Sequence, residues 1–213
     1  ATFHFAMHSK SSMSETVNTL LKKHPIISDQ IEPGELQVIL TELEKTIDTN
    51  IAGDIVEFGC YSGTTSLFIQ RLLITKKSDK KLYVYDSFDG LPEKTKEDES
   101  PLGVDFKRGE LRSTKSEFIH NFRKANLSVP IVCKKWFHEV EDKELPSKIA
   151  FAFLDGDYYK SIRSSLSLVL PRTTKGGVII VDDYDNPALP GAKKALHDIE
   201  LEPTAIKASL GLF

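Results

Sequence analysis

Four aspartates stand at the ends of two apolar runs. Asp155-Gly156-Asp157 follows Ile149–Leu154, and Asp182-Asp183-Tyr184 follows Gly177–Val181. Both runs have the continuous apolar character of parallel strands buried on both faces. The carboxylates therefore gather at the carboxyl edge of a sheet, where open α/β folds bind ligands. So many like charges at one edge repel one another unless a cation neutralises them. Hard carboxylate oxygens with no Cys or His nearby favour Mg2+ or Ca2+ over zinc. Neighbouring strands lie roughly 4.8 Å apart, so Asp155 and Asp182 can converge. Asp182 and Asp183 are adjacent and would point to opposite faces of a regular strand. Both reach one ion only if the strand is already turning there; otherwise Asp183 lies behind the ligands. Gly156 lets the backbone bend, which allows Asp155 and Asp157 separate roles. A metal-bound hydroxyl with a carboxylate beside it can lose its proton near neutral pH. Asp157 has the right type for that base, with Tyr158 and Tyr159 as alternatives.

A second group lies earlier in the chain. Glu57-Phe58-Gly59-Cys60-Tyr61-Ser62-Gly63 joins a short apolar run to a helical pattern. Gly59 permits a tight turn and close ligand approach, and the turn offers backbone N–H groups to an anionic group. It is neither a dinucleotide fingerprint nor a phosphate loop, because Gly-x-Gly-x-x-Gly is absent and no Lys follows the last Gly. Glu57 would repel a pyrophosphate but suits a ligand carrying an ammonium or sulfonium. Asp86 closes the next apolar run, where an acid accepts hydrogen bonds from ribose hydroxyls. Together the two acids point to S-adenosylmethionine.

These residues need elements to hold them. Residues 14–24 form a short helical pattern through Val17, Leu20 and Leu21. Pro33 opens a stronger one, with Leu36, Ile39, Leu40, Leu43 and Ile47 at helical spacing. Strands are expected at 55–58, 81–85, from 131, up to 154 and up to 181. Helices are expected from Gly63 to Ile74, after a capping box of Thr114 and Glu117, from Ile162 to Leu170 before Pro171, and through Ala192, Ala195, Leu196 and Ile199. Residues 89–112, rich in charge with Gly and Pro, read as a long loop, and loops of that length are often lids. The tail 204–213 is strand-like, and one further strand is wanted that the pattern does not place. Strand–helix alternation of this kind predicts a doubly wound, mostly parallel α/β sheet. Residues 1–50 read as a helical N-terminal cap and 51–213 as the catalytic domain.

Composition excludes several classes. The 213 residues suffice for one α/β domain with a large core. A net charge of −3 gives no electrostatic case for nucleic acid. Apolar runs of about six residues are too short for a membrane span. The first residues lack the basic and apolar regions of a signal peptide. Cys60 and Cys133 make no disulfide framework, so a cytoplasmic location is expected. His4, His8, His24, His120 and His197 show no ligand spacing, His138 reads as a helix start or a solvent-facing residue, and Lys76–Lys81 reads as a solvated turn. A homo-oligomer is compatible with all of this.

Asp-Ser-Phe-Asp-Gly-Leu-Pro at 86–92, Trp136-Phe137, Asp155-Gly-Asp-Tyr-Tyr159 and Gly176-Gly-Val-Ile-Ile-Val-Asp-Asp-Tyr184 resemble the macrocin O-methyltransferase family, whose members methylate sugar hydroxyls of antibiotics. The likeness runs from about residue 53 to about 200; the N-terminal segment and loop 93–112 match poorly, and Lys135 stands where the family usually has Gly. The turn at Glu57–Gly63 is also similar to that of catechol O-methyltransferases. The resemblance implies a class I, Rossmann-like methyltransferase fold. It assigns Asp155, Asp182 and Asp183 to a magnesium ion and makes Asp157 the general base. Glu57, Gly59, Cys60, Tyr61, Ser62, Gly63 and Thr65 would surround the methionine part of S-adenosylmethionine. Asp86 and Ser87 would meet its ribose, and Trp136 its adenine. The implied partner is a small-molecule acceptor, a saccharide or glycosylated metabolite.

Three functions follow: a metal-dependent sugar O-methyltransferase, a catechol-type enzyme acting on a phenol, and a non-catalytic cofactor-binding module. A phenol should need an apolar wall from loop 93–112, whereas its Lys, Glu, Asp and Arg content leans to a sugar. The intact acid set argues against the binding module.

Overall fold

The computed structural model describes residues 14–213. His4, His8 and the first residues, expected to lack a signal peptide, lie outside the described residues. The expected strands and helices form close to their expected places. They are α1 (Glu15–Lys23), α2 (Pro33–Asp48), β1 (Asp54–Phe58), α3 (Thr64–Thr75), β2 (Leu82–Asp86), α4 (Lys115–Lys124) and β3 (Ile131–Lys134). Then follow β4 (Ile149–Leu154), α5 (Tyr159–Val169), β5 (Thr173–Val181), α6 (Pro190–His197), β6 (Ala205–Lys207) and β7 (Leu210–Leu212). The sheet order is β3-β2-β1-β4-β5-β7-β6. The first five strands are parallel, and β7 runs antiparallel to β5 and to β6.

Strand periodicity divides the core in two. Ile55, Phe151 and Phe153 face one side and pack with Val17, Leu36, Leu40, Leu43, Phe68, Leu72 and Phe118 of α1–α4. Val56, Phe58, Ala152 and Leu154 face the other and pack with Ile162, Leu166, Ala192 and Leu196 of α5 and α6. Both faces are dry, which is why β1 and β4 read as unbroken apolar runs. By the same parity Glu57 shares the α3 face with Ile55. Helices α1 and α2 belong to the layer that covers this face.

Local chemistry sets several helix starts. Ser14 Oγ accepts from Val17 N at 3.1 Å. Glu35, two residues after Pro33, reaches back to Glu32 N at 2.8 Å. At α4 only half of the expected box forms: Thr114 Oγ1 accepts from Glu117 N, but the Glu117 carboxylate takes the Ser113 hydroxyl at 3.1 Å. The C-terminal tail makes two short strands joined by Ala208 and Ser209. Both have positive φ, +48° and +64°, as a tight hairpin requires. The tail thus supplies the missing strand and one more. Ile199 falls outside α6, which ends at His197, yet still packs against the α6 side of the core. No helix among the described residues is long and apolar enough to cross a membrane.

Candidate active site

The carboxyl ends of β1, β2, β4 and β5 open into one cleft of about 830 Å³. Backbone contacts from β1 to β4 and from β1 to β2 fix its floor. Asp155 N donates to Phe58 O at 2.8 Å, and Gly59 N donates to Tyr85 O at 2.9 Å. A Cβ on Gly59 would lie 1.8 Å from Asp155 O, and φ there is +88°. Only glycine lets the turn after β1 lie this close to β4.

Asp86 ties that turn down. Its Oδ2 accepts from Cys60 N at 2.8 Å and Tyr61 N at 3.2 Å, and its Oδ1 accepts from Phe88 N at 2.7 Å. A carboxylate offers about four acceptor positions. Three are used by this chain, which leaves room for one ribose hydroxyl. Gly59, Tyr61, Ser87 and Trp136 line the cleft beside Asp86. Glu57, Cys60, Ser62, Gly63 and Thr65 do not; they form the layer behind the wall. Glu57 is 1% exposed and takes the Ser66 hydroxyl on Oε2, while its Oε1 has no partner among the described residues. Burial pushes its carboxyl up to about 8, against the Ser66 hydrogen bond and with help from Asp86. Ser62 Oγ is likewise buried and unpartnered. Orphaned acceptors here suit a ligand that brings its own positive charge or donors. Burial also raises the Cys60 thiol, which argues against a reactive cysteine.

The aspartates converge as the strand ends require. One carboxylate oxygen each from Asp155, Asp157 and Asp183 lies within 4.8 Å of the other two. Asp157 and Asp183 both adopt left-handed backbone, with φ of +55° and +54°. The strand is therefore turning at Asp183, the condition under which it joins Asp155. Asp182 N continues the ladder to Leu154 O at 2.9 Å, and Asp182 Oδ1 accepts from Asp183 N at 2.9 Å. Asp182 thus stands next to the three-carboxylate group, with one oxygen already used. Asn186 Nδ2 holds Asp183 Oδ1 at 2.7 Å.

All four acids are raised. Burial and then Asp182, Asp157 and Asp183 push Asp155 well above the carboxylate range. Burial, Asp183 and Asp86 bring Asp157 to about 7. Burial, Asp183 and Glu35 push Asp182 well up, and burial raises Asp183 against its bond from Asn186. A divalent cation would reverse each of these shifts.

Trp136 and Phe137 line the cleft on the β3 side, with Phe137 edge-on to Phe58 at 5.2 Å. Lys135 points elsewhere, to Glu144 at 2.8 Å and Glu141 at 3.1 Å. His138 sits exposed at the rim. Sequence spacing gave no sign of the opposite wall. Gln30 and Ile31 line it from the turn before α2, Glu35 from the first turn of α2, and Leu91, Phe106 and Leu111 from the long loop. Asn186 was not singled out from the sequence either, although its place in the polar run after β5 was a local signal for it.

Solved structures share this architecture. The O-methyltransferase NovP superposes with a TM-score of 0.75 at 24% identity, over 86% of this chain and 80% of that one. CalS11, a calicheamicin methyltransferase, gives 0.69 at 16% identity, over 99% of this chain and 94% of that one. The fold is that of class I methyltransferases. Two curated relatives are 28% identical. One is the Streptomyces olivaceus 8-demethyl-8-(2,3-dimethoxy-alpha-L-rhamnosyl)-tetracenomycin-C 4'-O-methyltransferase, matched over 73% of this chain and 61% of its own length. The other is the Streptomyces niveus demethyldecarbamoylnovobiocin O-methyltransferase, over 67% and 56%. A third, mycinamicin III 3''-O-methyltransferase of Micromonospora griseorubida, is 26% identical over 73% and 63%. The chain spans about three fifths of the length of these relatives. Residues 31–209 match the macrocin-O-methyltransferase (TylF) family model, beyond both ends of the stretch that carries the sequence motifs, and the chain belongs to that family.

Proposed function

We propose that this protein transfers the methyl group of S-adenosylmethionine to a sugar hydroxyl of a small molecule, with a magnesium ion at the aspartate cluster. The observation that carries this reading is the pairing of two sites in one cleft. One is an acid-tied glycine turn with an orphaned buried carboxyl behind it; the other is a ring of carboxylate oxygens within 4.8 Å.

The donor set fits a hard divalent ion. Asp155, Asp182 and Asp183 would hold it, the first and last already within reach of one another. When bound, the ion lowers the pKa of an acceptor hydroxyl beside it. Asp157 stands in the same ring and accepts that proton as the oxygen attacks the sulfonium methyl. A C–O bond forms, the S–CH3 bond breaks, and the sulfur leaves as the neutral thioether. Asp86 and the turn orient the nucleoside, and the buried Glu57 favours the cationic end of the donor. The remaining work is positioning.

The acceptor side has mixed character. The long loop also brings charge to the cleft: Lys94 pairs with Asp105 outside it, but Arg108 and Glu93, 3.4 Å apart, both line it. Leu91, Phe106 and Leu111 of the same loop line the cleft. That apolar wall is what a phenolic acceptor would need, and it keeps a catechol-type reaction as the second reading. A sugar attached to an apolar body satisfies both the acids and the wall.

The test is an acceptor screen with labelled cofactor, with Mg2+ and with EDTA, on wild type and on Asp157→Asn and Asp182→Asn. Asp157→Asn should bind cofactor and Mg2+ almost normally and lose ~10²–10⁴-fold in rate. Asp182→Asn should lose the Mg2+-dependent rise in melting temperature. If instead Asp157→Asn abolishes Mg2+ binding and Asp182→Asn keeps it, the three closest carboxylates are the ligands and the base lies elsewhere. Methyl transfer unaffected by EDTA would remove the metal from the reaction.

A further inference from the structure

We infer that Asp98, in the long loop after β2, is a positioning residue that holds Asp157 in place; this rests on the assignment of Asp157 as the base. Helix α5 begins at Tyr159, two residues after Asp157. Its N-cap position is Tyr158, whose side chain cannot reach back to the first-turn amides. The cap comes from another part of the chain. Asp98 Oδ1 accepts from Tyr159 N at 2.7 Å, across 61 residues of sequence. Its Oδ2 accepts from Thr95 N at 2.7 Å and Thr95 Oγ1 at 2.8 Å. Asp98 is 3% exposed and has no cationic partner among the described residues.

A buried carboxylate without a counter-ion is costly, and amides at a helix start are among the few groups that offset it. The surrounding packing keeps it there. A Cβ on Gly191 of α6 would lie 1.9 Å from Asp98 Oδ1, so α6 closes on the carboxylate only because residue 191 lacks a side chain.

A second tie comes from the same loop. Tyr158 is buried against Leu91 and Leu189, and its hydroxyl donates to Phe106 O at 2.8 Å. The two residues that follow Asp157 are thus each held by the loop. Asp157 itself has φ of +55°. A non-glycine residue keeps that conformation only where its neighbours over-determine it. β4 fixes the near side through Asp155, and the far side is fixed by Asp98 and Tyr158. The segment that resembles a lid therefore acts as a strap on the catalytic turn.

A double-mutant cycle tests this with Asp98→Ala, Asp157→Asn and their combination, with Asp98→Asn as the milder variant should Asp98→Ala fail to fold. Asn keeps an acceptor for Tyr159 N but turns a donor toward Thr95 N. Either Asp98 variant should lower kcat by about 10–100-fold, the scale of a small misplacement of a catalytic group. Calorimetric affinity for S-adenosylhomocysteine should change little, and amide exchange at Tyr159 should quicken. In the Asp157→Asn background the same change should cost no more than about two-fold further, because it acts through the carboxylate already removed. Equal losses in both backgrounds would show a merely structural role and overturn the inference. Unchanged kcat in Asp98→Asn alongside faster Tyr159 exchange would overturn it as well. Full turnover in Asp157→Asn alone would sink the base assignment, and this inference with it.

Discussion

Replacing Glu57 by Gln should make the ligand-free protein more stable and its hold on the cofactor weaker. Glu57 is almost fully buried, and its carboxyl titrates at about 8 against an ordinary 4.5. Between those values the folded chain keeps a proton that the unfolded chain has released. Stability therefore falls as pH rises through this window and levels off above about 8. At pH 7 the cost is on the order of 3 kcal/mol. Gln removes it. Gln also leaves an amide N–H2 group where Oε1 now lacks a partner, and an unpaired buried donor costs ~1–3 kcal/mol. The net gain at pH 7 is at most about 2 kcal/mol, a few degrees in Tm for a chain of this size. Near pH 5 the titration cost is almost gone, and the variant should be equal to or less stable than wild type. The aspartate cluster titrates in both proteins and cancels except for the repulsion between Glu57 and Asp155, which Gln removes and which therefore acts in the same direction.

The assay is thermal melting of both proteins from pH 5 to pH 8 in EDTA, with calorimetry of S-adenosylmethionine at pH 7. The melting difference should move in favour of Gln as pH rises. Glu57 lies behind the cleft wall, so it acts on the donor's positive charge through the turn and not by contact; losing that attraction, ~1.4 kcal/mol, should weaken cofactor binding by about ten-fold. A melting difference that does not change with pH would show that Glu57 is not held protonated by burial. Unchanged affinity would show that it plays no part in holding the donor.

Asp86→Ala should weaken S-adenosylhomocysteine by at least about ten-fold and also lower Tm, since Cys60, Tyr61 and Phe88 amides lose their acceptor at a cost of ~1–3 kcal/mol. Weaker binding with no change in Tm would mean that the acid serves the ligand alone. Gly59→Ala puts a Cβ 1.8 Å from Asp155 O at φ +88°. Circular dichroism melts should show a loss above ~3 kcal/mol, or no folded protein at all; a near-native Tm would contradict the close approach of the β1 turn to β4.

The sheet was legible because both faces of β1, β4 and β5 are buried over their carboxyl halves, so that strands appear as plain apolar runs and their ends are marked by the first acids. That same contrast located Asp86, Asp155 and Asp182. The C-terminal tail was legible as strand, but not as a hairpin of two strands. Its turn uses Ala208 and Ser209 at positive φ, where Asn or Gly would have announced it. The far wall of the cleft was hidden for a different reason. Leu91, Phe106 and Leu111 belong to a loop, and a loop has no period that tells inward from outward residues. Asp98 is one acid in the run Lys94-Thr95-Lys96-Glu97-Asp98-Glu99. Thr95 three residues before it has the spacing of a local cap, but nothing in the sequence marks the buried bond to Tyr159, because that partner is set by tertiary packing.

The active edge concentrates backbone strain as well as charge. Tyr61, Phe88, Asp157 and Asp183 all have φ between +47° and +55°, and all four lie in the turns that leave β1, β2, β4 and β5. A left-handed L-residue costs roughly 1 kcal/mol or more. Each is held by a specific tie: Tyr61 N and Phe88 N by Asp86, Asp183 by Asp182 and Asn186, and Asp157 by its neighbours. Three of these four ties run to carboxylates or amides of the site itself. The groups that present the acids to a ligand are thus the same groups that hold the turns in shape. A cation and a cofactor would relieve the charge, but the backbone strain would remain. The edge therefore depends on its ties in every state of the enzyme, and removing one of them should disturb geometry before it disturbs affinity.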